Sequence, residues 1–359
     1  MARRLRHLGS RALALGRRIV RMTQPPPDPV RQRYVERRGF IITDLVAAAL
    51  PASEKFTILD GGALDAYADP RWQALDATRT RIYGFEPNAL EVKRLNATAQ
   101  EKGLDHRYFA GALWSRATTV TFHANKASGG GSLYEQNTDL TDRWKFENFE
   151  ASFNARDMFR PTVTSQWATT SIDQWASESS GGPPDIDFMK LNVQGAELEI
   201  LQGADSVIDR TIGVMAEMSF VESYKGRPFF ADVDRHLRDK NFTFFDFIGH
   251  HCIGRAESPI TVRHLPSLHG LWGQLIEGHG IYFRDPIDMA ARGLSIDHRS
   301  AAKLLKLAAF AEVMGQIEYS FELLSWLETL LDRRGDAAGA RRVNALAAQA
   351  AKLYVSYMA

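Results

Sequence analysis

The run FTILDGGALDAYADPRWQALDATRTRIYGFEP, residues 56–87, does most to restrict what this chain can fold into. An apolar strand from Phe56 to Leu59 leads to an acid, Asp60, and then to a turn made of Gly61 and Gly62. After a helical stretch, a second strand from Ile82 to Phe85 ends in a second acid, Glu86. Strand, glycine turn, helix and strand form the front half of a nucleotide-binding α/β unit. A glycine turn lets the backbone come close to a ligand, and an acid closing the second strand can hold both hydroxyls of a ribose. The alternative for the glycines alone is a turn that merely caps a strand.

The two acids bear on which nucleotide is bound. A dinucleotide places its pyrophosphate at the helix N-terminus, where a carboxylate at Asp60 would repel it. The full G-x-G-x-x-G pattern is also missing, which disfavours an NAD-dependent oxidoreductase. S-adenosylmethionine has no phosphate and carries an ammonium and a sulfonium, so it suits Asp60 better.

At 359 residues and 45% hydrophobic, the chain can build one large domain with an appendage, or two domains. Its 44 Lys and Arg balance 43 Asp and Glu, so bulk charge indicates no nucleic-acid partner. A single cysteine, Cys252, excludes a disulfide framework and fits a cytoplasmic chain. No stretch approaches the roughly 18 apolar residues of a membrane span.

Three regions are expected. Residues 1–24 hold Arg3, Arg4, Arg6, Arg11, Arg17, Arg18 and Arg21 with apolar residues at roughly helical spacing. That pattern reads either as a basic amphipathic helix lying on an anionic membrane surface or as a disordered tail. Residues 25–290 alternate strands with helices, which implies a doubly wound, mostly parallel sheet with a late antiparallel strand. Helices are expected over about 31–50, 89–102, 139–159, 196–209 and 229–240. Residues 291–359, rich in Ala and Leu, read as two or three helices forming an appendage or a homo-oligomer interface.

The second informative segment is DFMKLNVQGAELEILQGA, residues 187–204. A buried strand ends in Asn192 and Gln194, and Gly195 opens a helix carrying Glu197. Ligands bind beyond the carboxyl ends of strands in an open parallel sheet, so Asp60, Glu86, Asn192 and Gln194 share one rim. Asn192 and Gln194 could equally serve only to cap the helix. Farther on, GHHCIG (residues 249–254) does not read as a metal site, because adjacent strand residues point to opposite faces.

These segments resemble, in order and spacing, the FkbM family of S-adenosylmethionine-dependent methyltransferases. LDGGA resembles the family's first motif, GFEPN its second-strand acid motif, GGGSLYEQN its serine-rich loop and TTSIDQWA its threonine-aspartate segment. FMKLNVQGAELEILQGA is similar to its signature, and EMSFVESYKGRPFF to the strand and loop that follow. The resemblance implies a Rossmann-like class I methyltransferase fold. It places Asp60, Gly61, Gly62 and Ala63 at the methionine end of the cofactor and Glu86 on the ribose. Pro87 and Asn88 then border the adenine, flanked by Ala112 and Leu113.

Methyl transfer to oxygen asks the protein to hold the acceptor in line with the sulfonium and to remove a proton. Glu197 and Glu217 are the candidate bases, with His123 behind them. The acceptor, a sugar, glycan or secondary-metabolite hydroxyl, is expected between the 125–137 and 219–228 loops. Three departures stand out: Asn192 and Gln194 where relatives often carry acids, Ala66 in place of a motif glycine, and an Asp60-to-Glu86 stretch longer than the ~20 residues usual for such units. The lost acids argue for metal-independent transfer or, as the alternative, for a cofactor-binding scaffold or assembly subunit.

Overall fold

The computed structural model describes residues 40–64, 70–126, 129–147, 152–154, 160–179, 184–260, 273–295 and 300–358. The basic N-terminal segment, most of the helix expected from residue 31, and Ala66 lie outside the described residues.

In chain order, α1 (Ile41–Ala49), β1 (Phe56–Gly61), α2 (Pro70–Gln73), β2 (Thr80–Glu86) and α3 (Ala89–Glu101) come first. Next are β3 (Asp105–Ala110), β4 (Ala112–Leu113), β5 (Thr118–Asn125), α4 (Thr138–Thr141), β6 (Trp144–Glu147), β7 (Ser152–Asn154), β8 (Pro161–Thr170) and α5 (Ile172–Glu178). The second half holds β9 (Phe188–Leu191), α6 (Glu197–Gln202), α7 (Asp205–Ile208), β10 (Gly213–Ser219), α8 (Phe230–Asp239), β11 (Thr243–Arg255) and β12 (Gln274–Phe283). It closes with α9 (Pro286–Ala291), α10 (Ala301–Val313), α11 (Ile317–Arg333) and α12 (Ala337–Met358).

The main sheet runs β3-β2-β1-β9-β10-β12-β11-β6-β7. Its first five strands are parallel, and β12 is antiparallel to both β10 and β11. This is the mostly parallel sheet with a late antiparallel strand that the sequence leads one to expect. A smaller sheet, β4-β8-β5, shares no strand with it, although Leu113 of β4 packs with Leu59 and Leu191 in the same core. Every residue of β1 and β9 is buried, as strands covered on both faces must be.

One face of the sheet offers Phe56, Ile58, Phe188, Met215 and Phe283 to α1 and to the C-terminal helices. The other offers Leu59, Met189, Leu191, Val214 and Ala216 to residues of α5 to α8. The C-terminal helices lie where the sequence puts them but are not set apart from the sheet. Phe310 of α10 stacks on Phe188 at 5.0 Å and meets Phe56 edge-on at 5.6 Å. Asp187, fully buried, accepts the Thr57 N–H at 2.9 Å and pairs with Lys303 at 2.8 Å and Lys306 at 3.2 Å, both on α10. Glu312 accepts the backbone N–H groups of Ile42 and Thr43 at 2.9 and 2.7 Å, which fastens α1 to α10. An α/β sheet needs both faces covered, and here the C-terminal residues supply much of one cover.

Two expected helices take other forms. Where a helix was expected over 139–159, the described residues hold only the single turn α4, followed by β6 and β7. Trp144 is buried against Ile253 and Ile276, and β6 pairs with the end of β11, so a packing partner distant in sequence overrides local preference. The helix expected over 196–209 is two short ones, α6 and α7, broken at Gly203. A Cβ at Gly203 would lie 2.6 Å from the Trp114 carbonyl oxygen, so this close backbone approach requires glycine.

Candidate active site

The strand order reverses at β1, which has β2 on one side and β9 on the other. Such a switch point opens a crevice beyond the carboxyl ends of the strands. Asp60 of β1 stands directly opposite Lys190 of β9, and their side chains form an ion pair of 2.7 Å. Lys190 also donates to the Gly62 carbonyl at 2.9 Å. Gly62 has φ +77°, and the N–H groups of Gly62 and Ala63 both donate to the Phe85 carbonyl at 3.0 Å. The glycine turn is therefore tied over the end of β2 and pinned from beneath by a lysine. A side chain at Gly62 would collide with the Asn192 carbonyl oxygen at 2.0 Å.

Glu86 closes β2 and accepts the Asn88 N–H at 2.8 Å. Burial pushes its carboxyl up to about 7, against the downward pull of that hydrogen bond, while Glu91 adds to the rise. Asn88 is exposed, and its side chain caps α3 by accepting the N–H groups of Leu90 and Glu91. Pro87, half-buried, links the strand to that cap. Ala112 and Leu113 are buried and form β4, paired with Thr169 and Thr170 of the smaller sheet.

Beyond β9, Asn192 and Gln194 join one hydrogen-bonded chain. The Asn192 side-chain amide donates to Nε2 of His279 at 3.1 Å, which leaves the imidazole proton on Nδ1. The Gln194 amide donates to Asn192 Oδ1 at 3.3 Å and to both Glu217 oxygens at 3.2 Å. The Tyr224 hydroxyl lies 3.1 Å from Gln194 Oε1. Gln194 itself sits at φ +60°, a left-handed conformation uncommon outside glycine and typical of functional turns.

Behind this chain the buried Arg227 lies 3.8 Å from both Glu217 and Glu277. Burial drives the Glu217 carboxyl well above the ordinary range, and the charges of Glu277 and Glu197 add to it. Burial also works against an ionised Glu277, but the His251 hydrogen bond at 3.0 Å and the Arg227 charge hold it below the ordinary range. His279 is held down to about 3, first by burial and then by the charges of Arg71, His251 and Lys190.

Glu197 is placed differently from its expected role as a base. Its oxygens accept the N–H groups of Val193 at 2.9 Å and Gly195 at 3.0 Å, so it holds the strand-end turn in shape. His123 lies in the smaller sheet, where its backbone pairs with that of Ser132. The expected acceptor opening between the 125–137 and 219–228 loops is bridged: Gln136 pairs with Tyr224, and Asn137 and Lys225 bond across at 3.0 and 2.7 Å. Together the loops make a wall beside Gln194, whose carbonyl accepts the Ser132 hydroxyl at 2.6 Å. Among the described residues, no three His, Cys, Asp or Glu side chains converge as a metal-ion site.

Sequence reasoning passed over Lys190, Arg227 and His279. Lys190 carried a usable signal: a lysine inside a four-residue buried strand must have a partner, and alternation puts it on the same face as Asn192. His279 and Arg227 gave none, because only the antiparallel return of β12 and the loop after β10 bring them to the rim.

A sheet whose first five strands are parallel and whose sixth runs antiparallel, with a glycine turn at the switch point and acids at the ends of β1 and β2, is that of a class I methyltransferase. Residues 60–244 match the Methyltransferase FkbM domain, and the chain belongs to that family. It is 25% identical over 178 residues to the 2-O-methyltransferase NoeI of Sinorhizobium fredii, a match covering 47% of this chain and 66% of that protein, just under two thirds. Among solved structures, the methyltransferase FkbM of Methylobacillus flagellatus aligns at 12% identity and TM-score 0.35, over 66% of this chain and 45% of that one. The N-terminal domain of human METTL16, solved with S-adenosylhomocysteine, aligns at 11% identity and TM-score 0.32, over 72% of each chain.

The family's methyl donor is S-adenosylmethionine, and the residues at the switch point fit it. Among the described residues, the Glu86 carboxyl closes β2 with the Asn88 N–H as its hydrogen-bond donor. Among the described residues, no helix is long and apolar enough to cross a membrane.

Proposed function

We propose that this protein transfers a methyl group from S-adenosylmethionine to a hydroxyl oxygen on a sugar, a glycan or a small secondary metabolite. The observation that carries the reading is Glu86, a buried acid closing the strand next to the switch point, beside the glycine turn held by Lys190. The name of the relative NoeI, a 2-O-methyltransferase, supports transfer to oxygen. In this reading the donor supplies the electrophilic methyl and the protein supplies alignment, which counts for most in such a transfer. Glu217, whose two oxygens accept the Gln194 amide, takes the acceptor proton in its ionised form. Gln194 aims that carboxyl, and Arg227 balances its charge once it ionises.

The test has two stages. Calorimetry with S-adenosylmethionine and S-adenosylhomocysteine reads binding, and mass spectrometry of S-adenosylhomocysteine formed with a panel of hydroxyl acceptors reads turnover. Absence of binding would refute the donor assignment. Binding without turnover on any acceptor would favour the scaffold reading. The arginine-rich residues 1–24 are assigned in the same reading to an anionic membrane surface, to which each could contribute on the order of 1 kcal/mol. Full-length protein and a variant lacking them should then differ in sedimentation with anionic vesicles, and equal sedimentation would refute the assignment.

A further inference from the structure

We propose that Lys190 receives the carboxylate of the donor's amino-acid end, and that Asp60 serves to hold Lys190 in place. The inference rests on the reading of S-adenosylmethionine as donor and revises which charge meets it. From sequence, Asp60 is the group offered at the glycine turn. In the structure the Asp60 side chain is 1% exposed and committed to Lys190, whereas the Lys190 side chain is 11% exposed. The lysine is the more exposed member of the pair.

Three observations converge on it. The pair straddles β1 and β9, where the strand order reverses and a ligand is expected. An ammonium group has three N–H donors. Two of them serve Asp60 Oδ1 at 2.7 Å and the Gly62 carbonyl at 2.9 Å, which fixes the nitrogen directly beneath the turn and leaves the third for a ligand. Glu86 and Glu217 lie within range of the Lys190 charge but hydrogen-bond to other groups, so neither takes its third N–H. Glu217 and Glu277 both face Arg227 instead, and Arg71 and Lys190 together help hold His279 neutral. A lysine with no ligand would be an expensive way to fill this strand, since apolar replacements of buried ion pairs are often neutral or stabilising.

The experiment compares S-adenosylhomocysteine with the same molecule lacking its carboxyl group, by calorimetry on the full chain. Wild-type protein should prefer the intact compound by about tenfold or more, the scale of one charge-assisted hydrogen bond. The double variant Lys190→Met with Asp60→Asn removes both charges, so that no buried carboxylate is left unpaired, and it should bind the two compounds alike. Equal binding of both compounds by the wild type would overturn the proposal without any variant, while leaving the donor assignment standing. A preference that survives in the double variant would also overturn it, assigning the carboxylate to another cation such as Arg71. Wild-type protein that binds neither compound would overturn the donor assignment and this inference with it.

Discussion

Glu86 should make donor binding depend on pH. Its carboxyl titrates near 7 because burial disfavours the charged form more than the Asn88 N–H favours it. Ribose hydroxyls donate best to a carboxylate, so the ionised form is the competent one, and apparent affinity scales with its fraction. With a pKa of about 7 that fraction is ~0.09 at pH 6 and ~0.9 at pH 8, so affinity should climb about tenfold over the interval. The same shift acts on the empty protein. A carboxyl raised from 4.5 to about 7 holds its proton more tightly folded than unfolded. It therefore contributes stability that is full below the unfolded value and lost as pH rises through the folded one, at most about 3 kcal/mol.

The assay is calorimetry with S-adenosylhomocysteine at pH 6, 7 and 8, on wild-type protein and on Glu86→Gln, which keeps the shape and removes the titration. Any titration of the ligand's own amino group affects both proteins equally and drops out of the comparison. Wild type should gain affinity with pH beyond anything the variant shows, and the variant should be the weaker binder at pH 8. Parallel pH profiles in the two proteins would refute the ribose assignment.

Three further outcomes are expected. Gly62→Ala should lose on the order of 1–3 kcal/mol from its left-handed backbone alone, with the clash against Asn192 added, so an unchanged melting temperature would count against the described turn. Lys303→Met combined with Lys306→Met should cost roughly 3–5 kcal/mol by leaving Asp187 buried and unpaired. Denaturant midpoints report the loss, and adding Asp187→Asn should recover part of it. Methyl transfer should survive exhaustive chelation, because the neutral Asn192 and Gln194 supply no charge to compensate a divalent ion; loss with EDTA that magnesium restores would show otherwise.

The parallel half of the sheet was legible because it depends on local signals. Apolar runs of strand length ended in acids and glycines at β1 and β2, and FMKLNVQGAE joined a buried strand to a polar turn. The rim residues Asp60, Glu86, Asn192 and Gln194 followed from knowing where parallel strands end. What sequence could not supply was pairing across distance. The charges of the 139–159 stretch suggested a helix, while Trp144 had Ile253 and Ile276 waiting for it in the fold. Glu197 looked like a base because it is an acid near the rim, and only its two backbone N–H partners show that it shapes the turn. The C-terminal helices read as an appendage because nothing in their own spacing shows that Phe310 will lie on Phe188.

That last contact sets the order in which the molecule can be completed. Phe56 and Phe310 touch, yet most of the chain lies between them. During synthesis β1, β2, β9 and β10 can all emerge and pair while the face bearing Phe56, Ile58, Phe188 and Phe283 still awaits α10 and α11. An apolar sheet surface left bare that long invites association with other chains. Contacts so distant in sequence also slow the final closure. Shortening the chain before α10 would therefore hold the protein at that exposed stage, with the rim residues made but the sheet beneath them open on one side.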